Sequence, residues 1–298
     1  MTVTLACPKC AAIGLAAVFI LVLGGSQAAQ ADDPVNKLAL EAYGYYLSDI
    51  EFDDGGAKYD MTRSGLKATY SYFRFVYDRM DFNWDDNEIA KLPFGNGKDD
   101  PWESLQRLEI GANYQGKFNH KWSYAVDGAL FSAFEKDIKE IDSRLQAWAG
   151  YGFNPDLRLR FGARAYIYAF QVVALPVLSL DYRWDQQEGF SANLGFPETH
   201  LRYGFNKYVA LRLFGEYEHH TYRLADDSEV EEEGYLQREG VMTGLVVDLT
   251  PVKNLCISAG VIRSLDYTLT TYDKDGDNEK DYDNESGWGA IVRVNYAF

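Results

Sequence analysis

The chain has 298 residues with 29 basic against 45 acidic side chains, a formal charge of −16 that disfavours nucleic acid as a partner. Of its three cysteines, Cys7 and Cys10 lie near the amino-terminus; without that region Cys256 stands alone, which excludes a disulfide framework as the source of stability. Past the amino-terminal apolar run, no stretch offers about 20 consecutive apolar residues, so no later helix is predicted to span a membrane.

In chain order, Ala11 to Gly25 is an apolar run followed by Ala29-Gln30-Ala31, a small-x-small pattern ahead of Asp32. Residues 1–31 are therefore predicted to be a removed Sec signal, with Lys9 its only charge. Cys7 and Cys10 precede the apolar run and so are not placed as a lipidated cysteine, which would follow it.

From there the sequence alternates apolar and polar residues in long segments, the period of a strand with one face in an apolar medium. The alternation predicts strands near 66–82, 104–118, 121–134, 142–153, 157–170, 173–184, 189–196, 199–205, 208–223, 236–249, 255–272 and 287–298. Short turns such as Phe118-Asn119-His120-Lys121, Phe153-Asn154-Pro155-Asp156, Phe205-Asn206-Lys207-Tyr208 and Thr250-Pro251-Val252-Lys253-Asn254 separate some of them. Acidic stretches separate others: Asp85-Asp86-Asn87-Glu88, Asp99-Asp100, Asp226 to Glu233, and Asp273 to Glu285.

Short turns at one end and long acidic loops at the other are the asymmetry of an outer-membrane β-barrel, and the many Tyr, Phe and Trp residues suit its two aromatic girdles. The predicted fold is all-β: one antiparallel transmembrane barrel over 66–298, preferred at twelve strands within a range of ten to fourteen. Residues 32–65 form a separate amino-terminal segment. In it Leu38 to Phe52 reads as a strand that either pairs with a partner hidden in 53–65, giving fourteen, or lies in the lumen or periplasm.

The alternation also assigns side chains to faces. Arg158, Arg160 and Arg164 fall opposite Leu157, Leu159 and Phe161, and an arginine at the lipid midplane costs about 2–4 kcal/mol, so the arginines are predicted to face the lumen. Arg107, Glu109, Arg212, Glu216, Glu218 and Arg293 follow by the same logic. Such a mixed set of charges either fills a narrow barrel with ion pairs or forms a constriction that selects solutes by size and charge.

Catalytic constellations are mostly missing. His120 sits in a tight turn, His200 near a short loop, and His219 and His220, as strand neighbours, point to opposite faces, with no paired serine motif in sight. The carboxylates Asp273, Asp275, Asp277 and Asp281 alternate as in a calcium loop, but Asn278 stands where an EF-hand needs glycine. That loop is expected to be a solvated one, weak divalent-cation binding shared with lipopolysaccharide phosphates being the alternative. No other cofactor is expected.

The last dozen residues alternate strictly and end on an aromatic: Trp288, Ala290, Val292, Val294, Tyr296 and Phe298 share one face. This resembles the closing strand of bacterial outer-membrane barrels, and the resemblance implies that Val292, Val294, Tyr296 and Phe298 are read by the barrel-assembly machinery. It departs from many such signals at Arg293, where they carry glycine. Over roughly 105–298 the chain is also similar to an outer-membrane barrel family of unknown function, through Leu175, Pro176, Tyr182, Arg183, Pro197, Tyr203 and Tyr217; that resemblance implies an architecture and no activity.

The expected partners are accordingly outer-membrane lipid, lipopolysaccharide, periplasmic chaperones and the assembly machinery. Passive passage of small polar solutes is the first functional expectation. A structural or surface-interaction barrel with an occluded lumen is the second, and a lipid-modifying enzyme the third.

Overall fold

Alternation runs from Leu38 almost to the end of the chain, and it folds as a succession of antiparallel hairpins. The structure is a computed structural model that describes residues 3–4, 38–85, 87–184 and 186–298; the segment read as a signal lies outside the described residues except for Val3–Thr4. The strands are β1 (Val3–Thr4), β2 (Leu38–Glu51), β3 (Lys58–Tyr70), β4 (Phe73–Trp84), β5 (Ser104–Lys117), β6 (Trp122–Phe134), β7 (Asp142–Asn154) and β8 (Leu157–Ile167). They continue with β9 (Val172–Tyr182), β10 (Gly189–Phe196), β11 (Glu198–Asn206), β12 (Val209–Arg223), β13 (Tyr235–Val252), β14 (Leu255–Tyr272), β15 (Lys280–Asn284) and β16 (Trp288–Ala297).

β2 through β14 pair in sequence order, and β16 joins β14 to β2, closing an antiparallel barrel of 14 strands. The closing strand meets the first over ten register pairs, from Trp288↔Ser48 to Ala297↔Ala39.

Fourteen strands replace the twelve preferred from sequence. Residues 66–82 are not one strand: they are the end of β3 and most of β4, joined by a tight turn at Ser71 and Tyr72. Ser71 takes a positive φ of 55° there, and neither Gly, Pro nor Asn marks the bend. The turn was hidden because Tyr70, Tyr72 and Phe73 read as strand residues. Leu38–Glu51 therefore spans as β2, with β3 as its partner from Leu38↔Tyr70 to Glu51↔Lys58, and the barrel begins at Leu38, not at residue 66.

The outer wall carries Leu66, Phe75, Ile110, Leu130, Leu178, Leu213, Val261 and Val292, all exposed. A ring of exposed aromatics marks the end where the short turns lie, including Phe118, Phe153, Tyr182, Phe190, Phe205, Tyr208, Tyr296 and Phe298. An apolar band edged by an aromatic girdle is the outer surface that a barrel presents to a lipid bilayer. At the opposite, loop end the lumen is packed. Leu47, Met61, Met80, Leu236, Ile262 and Leu269 point inward with at most 1% exposure.

The 85–103 connection caps this packed end. Phe94 and Trp102 stack at 5.3 Å, Phe94 meets Phe52 at 5.3 Å and Tyr282 at 4.9 Å, and Trp84 Nε1 donates to the Trp102 carbonyl at 2.8 Å.

One hairpin is much shorter than the rest. β10 pairs with β9 only up to Phe196↔Leu178, and β11 pairs with β12 only up to Glu198↔Glu216, the chain turning between them at Pro197. Above this tip, β12 leans over the lumen and meets β6 at Arg223↔Phe134 in a parallel bridge. There Glu135 N donates to the Arg223 carbonyl at 3.0 Å.

Candidate functional site: a polar chamber in the lumen

Because β residues alternate faces, the inward positions of neighbouring strands bring charges from distant parts of the chain into common layers. Beneath the apolar packing lies a first layer. Arg63 of β3 donates through Nε to Asp78 Oδ1 at 2.8 Å and through Nη1 to Glu218 at 2.6 Å; Arg238 donates to the other oxygen of Glu218 at 2.9 Å, and Tyr267 Oη also donates to it. All of these side chains are buried. A buried charge persists only when paired and hydrogen-bonded, and here each carboxylate has at least one guanidinium.

A second layer gathers three arginines on one carboxylate. Glu109 accepts from Arg74 Nε at 2.8 Å, Arg107 Nη2 at 2.5 Å and Arg144 Nη2 at 2.9 Å, while Asp127 pairs with Arg74 and with Arg144 at 3.2 Å. Further round the wall Asp181, 1% exposed, accepts from Arg158 at 2.9 Å, Arg160 at 2.8 Å and Asn193 at 2.5 Å. Arg212 grips Asp248 at 2.9 and 3.0 Å, Arg164 donates to Gln146 at 2.6 Å, and Arg293 lies 3.4 Å from Glu41.

Among these layers is a cavity of about 390 Å³. Lys67, Asn113, Gln115 and Asp127 line its turn-end side, where Asn113 and Gln115 are exposed to water; Arg63, Arg107 and Glu218 line its loop-end floor. A second space of about 110 Å³ adjoins it through Glu198 and Glu216 and extends to Arg212 and Arg293. Side chains of both charge signs face the larger chamber.

The structure thus distributes the sequence-derived lumen residues over separate clusters. Arg107 and Glu109 share one, Arg158 and Arg160 another, while Arg164, Arg212, Arg293 and Glu218 each have different partners. Glu216 alone makes no hydrogen bond or ion pair among the described residues. Sequence reasoning missed Arg63, Arg74, Asp78, Asp127, Arg144, Asp181 and Arg238. The signal was present as charges an even number of positions apart on one strand, such as Arg74 and Asp78, but the unseen turn at Ser71 obscured the phase of that region.

His220 faces the lumen at 2.9 Å from Arg107, and His219 faces the other way, its Nδ1 3.2 Å from Glu239. In the acidic loop, Asp273 is occupied by its own turn: Oδ1 accepts from Asp277 N at 2.9 Å and Asp275 N at 3.0 Å, and Oδ2 from Asn278 at 2.5 Å. Asp281 instead accepts from Thr270 Oγ1 at 2.7 Å. Among the described residues no group of three or more His, Cys, Asp or Glu side chains comes together to hold a metal ion.

No protein-family model matches the chain, so the likeness seen around Leu175 to Tyr217 gains no family assignment. No curated protein matches it either. Among solved structures it is similar to an outer-membrane channel from Pseudomonas putida F1, at 9% identity and a TM-score of 0.46 over 90% of this chain and 97% of that one. It is also similar to the KdgM porin in complex with disordered oligogalacturonate, at 12% identity and a TM-score of 0.36 over 86% and 99% of the two chains. A Pseudomonas aeruginosa FadL homologue gives 12% identity and a TM-score of 0.37 over 88% and 90%.

Proposed function

We propose that this protein is an outer-membrane channel for small polar solutes, with its chamber open to the periplasm and its axial path narrowed at the loop end. The chamber of about 390 Å³, lined by charges of both signs and rimmed by exposed Asn113 and Gln115, is the observation that carries this reading. The packed layer of Leu47, Met61, Met80 and Leu236 under Trp102 favours the second reading, a structural barrel with an occluded lumen.

Planar-bilayer recording separates the two. The channel reading expects small, brief conductance steps from the wild type and larger ones from Trp102→Ala, which removes the cap's central ring. No conductance from either protein, with the folded barrel verified in the same preparation, rejects the channel and leaves the structural role.

A further inference from the structure

Among the described residues the wall of the barrel has a stretch of unpaired strand edge beside the chamber. From Val172 to Val177, β9 pairs with β8 on one side, but on the other its sole partner among the described residues is the two-residue β1, at Val173 and Ala174. At about 3.3 Å per residue this edge is about 20 Å long. Pro176, which has no N–H to donate, sits in it, as proline does on sheet edges. Opposite, β12 has no strand partner among the described residues on its β11 side beyond Glu216 until it reaches Phe134; the last contact is Tyr217 N donating to the Pro197 carbonyl at 2.9 Å. The gap is bounded below by the tip Phe196-Pro197-Glu198 and above by Gln171 Nε2 donating to Gln237 Oε1 at 2.9 Å.

The chamber passes round that free edge. Glu216, Glu218 and His220 are on the lumen face of β12, and Tyr217 and His219 are on its outer face, yet all five line the same cavity. A strand paired on both edges shows a cavity one face only, since successive side chains point opposite ways. Unpaired backbone at membrane depth is tolerated where it lines a water-filled space or is buried in protein, so the free edge and the cavity explain each other.

Polar groups at this gap lack partners. His219, with 2% of its side chain exposed, is held at Nδ1 by Glu239 and packs its ring, tilted, against Tyr166 at 5.3 Å, but its Nε2 is buried with no hydrogen bond. Glu198 and Glu216 oppose each other in register; among the described residues Glu198 has an ion pair with Arg164 alone, at 3.6 Å, and Glu216 has none. The nearby Arg212 and Arg293 face Asp248 and Glu41.

We infer that the gap between β9 and β12 is a lateral window through which a cationic amphiphile moves between the lipid and the chamber. Its apolar chain stays in the bilayer beside Pro176 and Leu178, and its cationic head enters between Glu198 and Glu216. The inference rests on the channel reading, with entry from the side replacing the axial path that the packed loop end narrows.

The test uses the full chain with Cys7, Cys10 and Cys256 replaced by Ser, in phosphatidylcholine vesicles, carrying Glu216→Cys, Leu211→Cys on the lipid face of the same strand, or Gln115→Cys at the chamber rim. Each is labelled with a long-chain alkyl maleimide confined to the bilayer and with a charged, water-soluble methanethiosulfonate. Glu216→Cys is expected to react with both reagents, Leu211→Cys with the first and Gln115→Cys with the second. Decyltrimethylammonium should protect Glu216→Cys at about tenfold lower concentration than decyl sulfate, a factor equivalent to about 1.4 kcal/mol.

Labelling of Glu216→Cys by the water-soluble reagent alone overturns the window while sparing the channel. Equal or better protection by decyl sulfate overturns the ligand class. A Gln115→Cys that resists the water-soluble reagent closes the chamber and removes the channel reading itself. Should Glu216→Cys fail to fold, Glu198→Cys at the hairpin tip gives the same readouts.

Discussion

Arg63 on β3 and Glu218 on β12 stand 155 residues apart in sequence, and Nη1 of the first meets Oε1 of the second at 2.6 Å across the barrel interior. With Arg238 on the far oxygen, this contact ties the two sides of the lumen together just under the packed loop end. Replacing Glu218 by Gln removes the charge from between two buried guanidiniums, and breaking a buried pair from one side typically costs about 3–5 kcal/mol. Denaturant unfolding in detergent should show a loss of that order for Glu218→Gln and less than about 1 kcal/mol for Glu216→Gln, whose carboxylate has no ion pair to break. Equal losses would mean that the ion pair contributes nothing specific.

Leu213 is exposed on the outer wall, and Arg160 points inward to Asp181. Leu213→Arg should cost about 2–4 kcal/mol in folding into lipid vesicles, the depth-dependent cost of arginine on the lipid face. Arg160→Gln should be milder, because Arg158 and Asn193 continue to satisfy Asp181. The opposite ranking in a vesicle-refolding titration would reverse the faces of β8 and β12.

The acidic loop beyond β14 has its own pH response. The backbone N–H of Asp277, then Asn278 and the N–H groups of Asp275 and Gly276, hold the Asp273 carboxyl below its ordinary value of 3.8. A depressed carboxyl contributes order that is complete above the unfolded value and is lost as pH falls through the folded one. The protection factors of the Asp275 and Asp277 amides, taken against the intrinsic exchange rate at each pH, should therefore hold at pH 5 and fall below about pH 3.8, and in Asp273→Asn they should not change across that range. Added calcium that slows this exchange at neutral pH would support a weak cation site there; unchanged exchange would count against one.

Phe298 is exposed at the turn end, its ring 4.7 Å from that of Tyr296, with its N–H donating to the Leu38 carbonyl at 2.8 Å. If the assembly machinery reads this terminus, deleting Phe298 should lower the amount of heat-modifiable barrel in outer-membrane fractions. Its folding in vitro in detergent should change little, since the ring packs only at the surface. A matching loss in vitro would assign Phe298 to stability instead of recognition.

By itself the sequence determined the strand period, the inward phase of Arg158, Arg160, Arg164, Arg212 and Glu218, and the separation of short turns from long acidic loops. These are local properties: each depends on residues two apart or on the punctuation of a single turn. The turn at Ser71 was not legible, because a positive φ in a serine among aromatics leaves no compositional mark, and missing it cost two strands in the count.

Tertiary structure alone decided which charges meet. Arg63 finds Glu218, Arg74 and Arg144 converge on Glu109, and three polar groups share Asp181, through barrel closure and register, which act over the whole chain at once. It also decided that the lumen is packed at one end and holds a polar chamber toward the other, and that among the described residues β9 and β12 do not pair beside His219. A strand's own residues state which way each side chain points, but whether a neighbour covers its edge depends on how far another hairpin reaches, and Pro197 ends that hairpin at the level of Leu178 and Glu216.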